Sequence, residues 1–205
     1  MPEFTTTTTI YVPYRNVWRM ASVIENIEKW APVEFKTVAP EERVRNGLKL
    51  LQKKKQFGVF ACKHLVVKDA YTNSMVRRQY AFVDEEDKYG FNRITYTFDD
   101  NSIQTMIDLC DDEETLEVLK EQAKSEPQYQ VDIKAHVFYT FGSKFWRSFV
   151  ESVFITPFFR MFFLGRVKKS LAKLKELSEN MPDDDVDDDL PESWRKSSGA
   201  KSTAK

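Results

Sequence analysis

The chain has 205 residues, 31 Lys or Arg against 32 Asp or Glu, and 14% aromatic residues, 16 of them Phe. That length suits one domain with extensions and a substantial core. A charged fraction of 31% excludes an integral membrane protein, and a net charge of -1 gives no general electrostatic basis for nucleic-acid binding.

Thr5 to Val12 is rich in β-branched residues and predicts a strand ended by Pro13. From Arg15 to Trp30, Val17, Met20, Ala21, Ile24 and Ile27 recur at helical spacing behind Asn16 as a cap. The segment closes at Trp30-Ala31-Pro32 and predicts two short helices or one bent one. Residues 33 to 38 alternate as a short strand. The next segment, PEERVRNGLKLLQKKK, carries two signals: Val44, Leu48 and Leu51 share a helical face, whereas Asn46-Gly47 is a hairpin turn. The helical reading is preferred.

VFACKHLVVK, MVRRQYAFV and FNRITYTF follow as an antiparallel meander between polar turns. An inserted helical hairpin is expected over about 101–126, with Ile103, Met106, Ile107, Leu116, Leu119 and Ala123 at helical spacing around the acidic run Asp111 to Glu114. Residues 129–141 alternate as one long strand. Gly142 to Glu179 then reads as a long helix in two parts, with Pro157 and Gly165 as expected bends. Aromatics crowd its first half, and Val167, Leu171, Leu174 and Leu177 line one face of its second. Residues 181–205, with seven acids and four Lys or Arg, are too polar to fold and predict a disordered tail, leaving 1–180 as the domain.

The order of elements, with Val17-Trp18 early in the first helix, Trp30-Ala31-Pro32 closing the pair and Leu171 to Glu179 closing the last helix, resembles the START-like (SRPBCC) superfamily. The likeness spans roughly residues 5 to 179 and is nearest the polyketide-cyclase and coenzyme Q-binding-like branches. It implies an α+β helix-grip fold, in which a curved antiparallel sheet wraps a long C-terminal helix and leaves a cavity for an apolar ligand. The chain departs from the family in its insertion near 101–126. It also lacks the glycine-rich loop of the plant pathogenesis-related branch, and the acid and base pair of the cyclases cannot be placed in it.

In such a fold alternate strand residues line the space under the helix. The inward sets are expected to be Phe60, Cys62, His64 and Val66; Tyr80 and Phe82; Ile94, Tyr96 and Phe98; Val137, Tyr139 and Phe141. Trp146, Val150, Val153, Phe154 and Pro157 face them from the helix. These side chains either fill an ordinary core or line a ligand cavity, with Tyr80, Tyr96, Tyr139 or His136 orienting the ligand. His64 and His136 lack the spacing of a metal site, and no motif marks either cysteine as a nucleophile. The common nucleotide, zinc-protease and hydrolase signatures are absent as well. No metal or cofactor is therefore expected, and the runs Lys53 to Lys55 and Arg77-Arg78 read as solvated faces rather than a nucleic-acid site.

The leading expectation is a non-enzymatic carrier of a lipid or other apolar molecule. The alternative is an accessory subunit of a larger complex, its cavity filled; a cyclase- or hydrolase-type enzyme using His64 or His136 ranks third. Phe158, Phe159, Phe162, Phe163, Arg160 and Arg166 are expected to touch a membrane or a protein partner, and the tail to serve as a tether. Two cysteines outside any CxxC, and a start without a targeting pattern, suggest an intracellular protein, cytoplasmic or mitochondrial, with peripheral membrane attachment as an option.

Overall fold

The computed structural model describes residues 3–31, 35–36, 42–52, 63–84, 90–140 and 156–181. The strands are β1 (Glu3–Ile10), β2 (Phe35–Lys36), β3 (Lys49–Gln52), β4 (Lys63–Tyr71), β5 (Arg77–Asp84), β6 (Gly90–Asp100) and β7 (Val131–Thr140). They form one antiparallel sheet in the order β1-β7-β6-β5-β4-β3-β2. Because the last strand pairs with the first, β1 and β2 form the two edges. The helices are α1 (Tyr14–Ser22), α2 (Ile24–Trp30), α3 (Ile103–Leu109), α4 (Glu113–Gln122) and α5 (Thr156–Glu179). α5 packs chiefly on β1 and α1 and also touches α2.

Two helices follow Pro13 rather than one bent one, because Val23 is extended and bridges to Arg43. The Ile24 amide donates to the Glu42 carbonyl (2.9 Å), and the Val44 amide donates to the Ser22 carbonyl (2.8 Å). α1 begins at Tyr14 directly after Pro13, so Asn16 lies inside the helix and is buried instead of capping it. A fixed proline φ at the entry makes the separate cap unnecessary.

The helix preferred for residues 40–55 does not form among the described positions. Gly47 takes φ +82°, a left-handed turn conformation, and the Asn46 side chain bonds both the amide (2.7 Å) and the carbonyl (3.2 Å) of Ala70. The Gly47 amide and the Leu48 carbonyl then pair with Val67, and β3 begins at Lys49. Val44, Leu48 and Leu50 still reach the core, but from a turn and a strand. Their apolar character reflects burial, and the helical spacing is incidental.

Register fixes the faces of the sheet. Val67, Phe82, Ile94, Val137 and Phe4 lie in one row on the inner side; Tyr80, Tyr96 and Ala135 form the next, and Arg78, Phe98 and Ile133 a third. The inward parity expected for β5 and β6, and for Val137 in β7, is the observed one. In β4 the parity is reversed: Leu65 and Val67 join the core, while Val66 pairs with Val83 in an outer row and position 64 is in phase with it. His136 is likewise an outer-face residue, in register with Thr95 and Thr5, because the odd-numbered β7 residues from Val131 to Val137 are the buried ones.

α3 and α4 stand at the β6–β7 end of the sheet. Asp100 accepts bonds from the Ser102 amide (3.0 Å) and the Thr105 hydroxyl (2.7 Å), and the Asn101 amide donates to the Gln130 carbonyl (2.8 Å). Asp112 caps α4 by accepting from the Thr115 amide (2.9 Å). Residues 142–155, the first part of the expected long helix, and the tail from 182 onward lie outside the described residues. α5 runs without interruption through Gly165, and Pro157 is the second residue of its described span.

Candidate ligand-binding site

The space between the inner face and the helices is organised by rings. Trp18 meets Phe98 edge-on (centroids 5.5 Å) and Tyr80 at 6.3 Å, while Trp30 meets Tyr96 at 5.3 Å. Tyr80 in turn touches Phe82, Tyr96 and Phe98 at 5.2, 5.7 and 5.8 Å. Such pairs contribute about 0.5–1.5 kcal/mol each beyond the area they bury. The polar atoms of this cluster are used inside it. The Tyr80 hydroxyl donates to the Ala21 carbonyl (2.7 Å), the Trp30 indole to the Met20 carbonyl (2.9 Å) and the Tyr14 hydroxyl to the Phe98 carbonyl (3.3 Å). Burial pushes the phenols of Tyr14, Tyr80 and Tyr96 well above the ordinary tyrosine value, so all three stay neutral donors.

Arg78, only 5% exposed, closes one end of the cluster. Its guanidinium carbon lies 4.9 Å from the Trp18 ring centroid and 5.3 Å from that of Tyr14, and its Nε donates to the Ser74 carbonyl (3.2 Å). Burial lowers its pKa, opposed by nearby Tyr14 and Asp100. Its position two residues before Tyr80 places it in the inward set, a parity signal masked by the charge it shares with Arg77.

Beneath α5 the lining is different. Phe163, Val167, Leu171 and Leu174 are buried on one side of the helix, and Phe4, Phe82, Ile94 and Val137 continue the apolar surface along the sheet. Ser170 stands among the buried α5 residues. Its hydroxyl lies close enough to Tyr96 to favour the phenolate slightly, yet makes no hydrogen bond of acceptable geometry among the described residues. Ser22 and Ser178 bury hydroxyls in the same condition. A buried hydroxyl without a partner costs about 1–3 kcal/mol, so each is a place for a water or for a polar atom of a guest.

Of the residues expected at the site, Tyr80, Phe82, Tyr96 and Phe98 come together on the inner face. His136 does not: its side chain is 39% exposed, Nε2 lies 3.3 Å from the Glu3 carboxylate and the ring lies 4.4 Å from Phe138. Phe60, Cys62, Phe141, Trp146, Val150, Val153 and Phe154 lie outside the described residues, as do the side chains of His64, Tyr139, Phe158 and Phe159. Phe163, expected at a membrane or partner surface, is buried at 2%, whereas Phe162, Arg160 and Met161 are exposed and Arg166 is half-buried with its cation over the Phe162 ring (5.8 Å). Adjacent positions on one helix meet opposite fates, because residue 163 falls in line with Val167 and Leu174. The residues missed from sequence are Arg78, Ser170 and the Trp18–Trp30 pair as lining. Among the described residues no group of three or more His, Cys, Asp or Glu could hold a metal ion, and no helix is long and apolar enough to cross a membrane.

No protein-family model matches the sequence, and no curated protein matches it. Solved structures do resemble the chain. TTHA0849 from Thermus thermophilus is similar over 86% of this chain and 97% of its own, at 14% identity and a TM-score of 0.51. Ara h 8.0201 is similar over 88% of this chain and 99% of its own, at 7% identity and a TM-score of 0.48. A START superfamily protein from Mycobacterium smegmatis is similar over 85% of this chain and 98% of its own, at 10% identity and a TM-score of 0.44. With the first strand paired to the last, two helices after it and a long C-terminal helix packed against β1 and α1, the chain has the α+β helix-grip fold.

Proposed function

We propose that the protein is a non-enzymatic carrier that holds a lipid or similarly apolar small molecule between the inner face of the sheet and α5. The observation that carries this reading is the pair of buried hydroxyls of Ser170 and Tyr96, which adjoin each other in otherwise apolar surroundings, that of Ser170 meeting no hydrogen-bond partner of acceptable geometry among the described residues. A guest with a long apolar body and one acceptor or hydroxyl would satisfy Ser170 and Tyr96 while burying its chain against Phe82, Ile94, Val137 and Phe163. Apolar burial supplies on the order of 25 cal/mol per Å² removed from water; the polar end supplies orientation. The ring cluster over Trp18, Trp30, Tyr80 and Phe98 bounds the guest on one side. The hydroxyls and indole that bond within that cluster are satisfied and offer a ligand nothing.

Organic extraction of the purified protein followed by mass spectrometry tests this. An apolar compound in near-stoichiometric amount is expected, with Ser170→Ala lowering affinity for it about fivefold, the loss of roughly one hydrogen bond. Recovery of no compound, together with failure to bind any of a panel of fatty acids, sterols and phospholipids, contradicts it.

A second reading, an accessory subunit, draws on α3 and α4. Val118 is 63% exposed, and Met106 and Leu109 are exposed as well. Copurification of a defined complex that is lost in Val118→Asp supports that reading; a monomer in native extracts opposes it.

A further inference from the structure

The outward side of α5 has a composition unlike the rest of the surface. With about 100° per residue, Met161, Phe162, Lys168, Lys169 and Lys173 share the side opposite Phe163, Val167, Leu171 and Leu174, and all five are exposed. Met161 is 68% exposed. Between Glu151 and Glu176 the sequence holds no acid, while Arg160, Arg166, Lys168, Lys169, Lys173 and Lys175 fall within it. Among the described residues, Arg166 lies over Phe162, and Lys175 lies near Glu179 (3.8 Å) and the Tyr11 ring. Lys168, Lys169 and Lys173 project positive charge from this side of the helix, and Arg160 is exposed near the start of its described span.

The geometry points to this side of α5 as a docking surface for an anionic lipid bilayer, with Met161 and Phe162 entering the headgroup boundary and the lysines on lipid phosphates and carboxylates. Charge complementarity selects an anionic partner. The exposed thioether and phenyl ring at one end of the cationic row select a surface with an apolar interior over a purely polar polyanion. Phe162 and Phe163 are adjacent, one ring exposed and the next in the core, with centroids 6.0 Å apart. The bilayer contact therefore borders the seam under which the guest is proposed to lie. Docking rests on the carrier reading only for its purpose, delivery and collection of an apolar guest; the surface itself stands on its own residues.

Sedimentation of the full chain with vesicles tests it, using 70:30 phosphatidylcholine:phosphatidylserine against phosphatidylcholine alone. Binding to the anionic vesicles only is expected, weakening on addition of 0.5 M salt as the screening length falls to about 4 Å. Each of Lys168→Ala, Lys169→Ala and Lys173→Ala is expected to weaken binding about fivefold, and Met161→Asp to weaken it further, with circular dichroism unchanged. Equal binding to neutral vesicles, no binding to either, or binding to polyglutamate without binding to vesicles overturns the inference. Extraction and the lipid-panel assay on the same preparations separate the two proposals: ligand bound without vesicle binding overturns docking alone, and vesicle binding with no extractable compound and no binding of the panel supports docking while overturning the carrier reading alone.

Discussion

Of the nine residues of α1, seven are buried, from Tyr14 through Ser22; of the ten in α4, none is. Each belongs to a helical pair that follows a strand of the same sheet, yet one is held by rings and the other by caps and tethers. α1 lies on the inner face, where Trp18 meets Phe98 and Tyr80 and the Tyr80 hydroxyl reaches Ala21. The α3–α4 hairpin hangs from the strand ends by Asp100, Ser102, Thr105 and Gln130. Stability is concentrated where apolar area is buried, and a segment tethered mainly by hydrogen bonds is free to change its surface at little cost to the fold.

The largest effect should come from breaking the ring-held side. Phe98→Ala removes a fully buried ring in contact with Trp18 and Tyr80 and is expected to cost about 3–5 kcal/mol of stability, read as a lower urea midpoint. A loss below about 1 kcal/mol would mean that the cluster is looser than described.

An intermediate effect is expected where the two regions meet. Burial works against the charge of Asp132, but bonds from Thr9 (2.6 Å) and Asn101 (2.7 Å), a longer one from Gln130 and the charge of Lys134 outweigh it and hold the carboxyl below its usual value. A carboxylate depressed in the folded state stabilises fully above its unfolded pKa of about 3.9 and loses that contribution as pH falls through the folded value. Urea midpoints measured from pH 6 down to pH 2 should therefore decline less steeply in Asp132→Asn than in the parent chain. Parallel declines would show that Asp132 contributes nothing to the acid sensitivity of the fold.

The smallest effect is expected at the exposed end of the comparison. Val118→Ser should change stability by no more than about 0.5 kcal/mol, since exposed positions away from special features rarely do more. A larger loss in the isolated protein would show that α4 is covered by something in solution.

Much of this was legible in the amino acids. The runs at residues 75–83 and 91–98 and the alternation over 129–141 marked strands and, for Tyr80, Phe82, Tyr96, Phe98 and Val137, the inward face. Val66 failed because Leu65, Val66 and Val67 are all apolar and all buried, so alternation carried no phase in β4. The turn at Gly47 was hidden by the chance helical spacing of Val44, Leu48 and Leu51, although Asn46-Gly47 announced it. Phe163 could not be separated from Phe162 by composition, only by the direction α5 takes across the sheet. Ser170 carries no sequence signal at all: a serine on a helix becomes a candidate site only when its side of the helix is buried and its hydroxyl meets no well-placed partner among the described residues.

The contrast between grip and hairpin also locates the decisive measurement. Amide and side-chain NMR shifts of the full chain, recorded during titration with a fatty acid, would report where an apolar guest lodges. A carrier should show the largest changes at Ser170, Tyr96, Phe82 and Phe163, with the α3–α4 hairpin silent. Changes confined to Met106, Leu109 and Val118, or none on the inner face at saturating fatty acid, would contradict it.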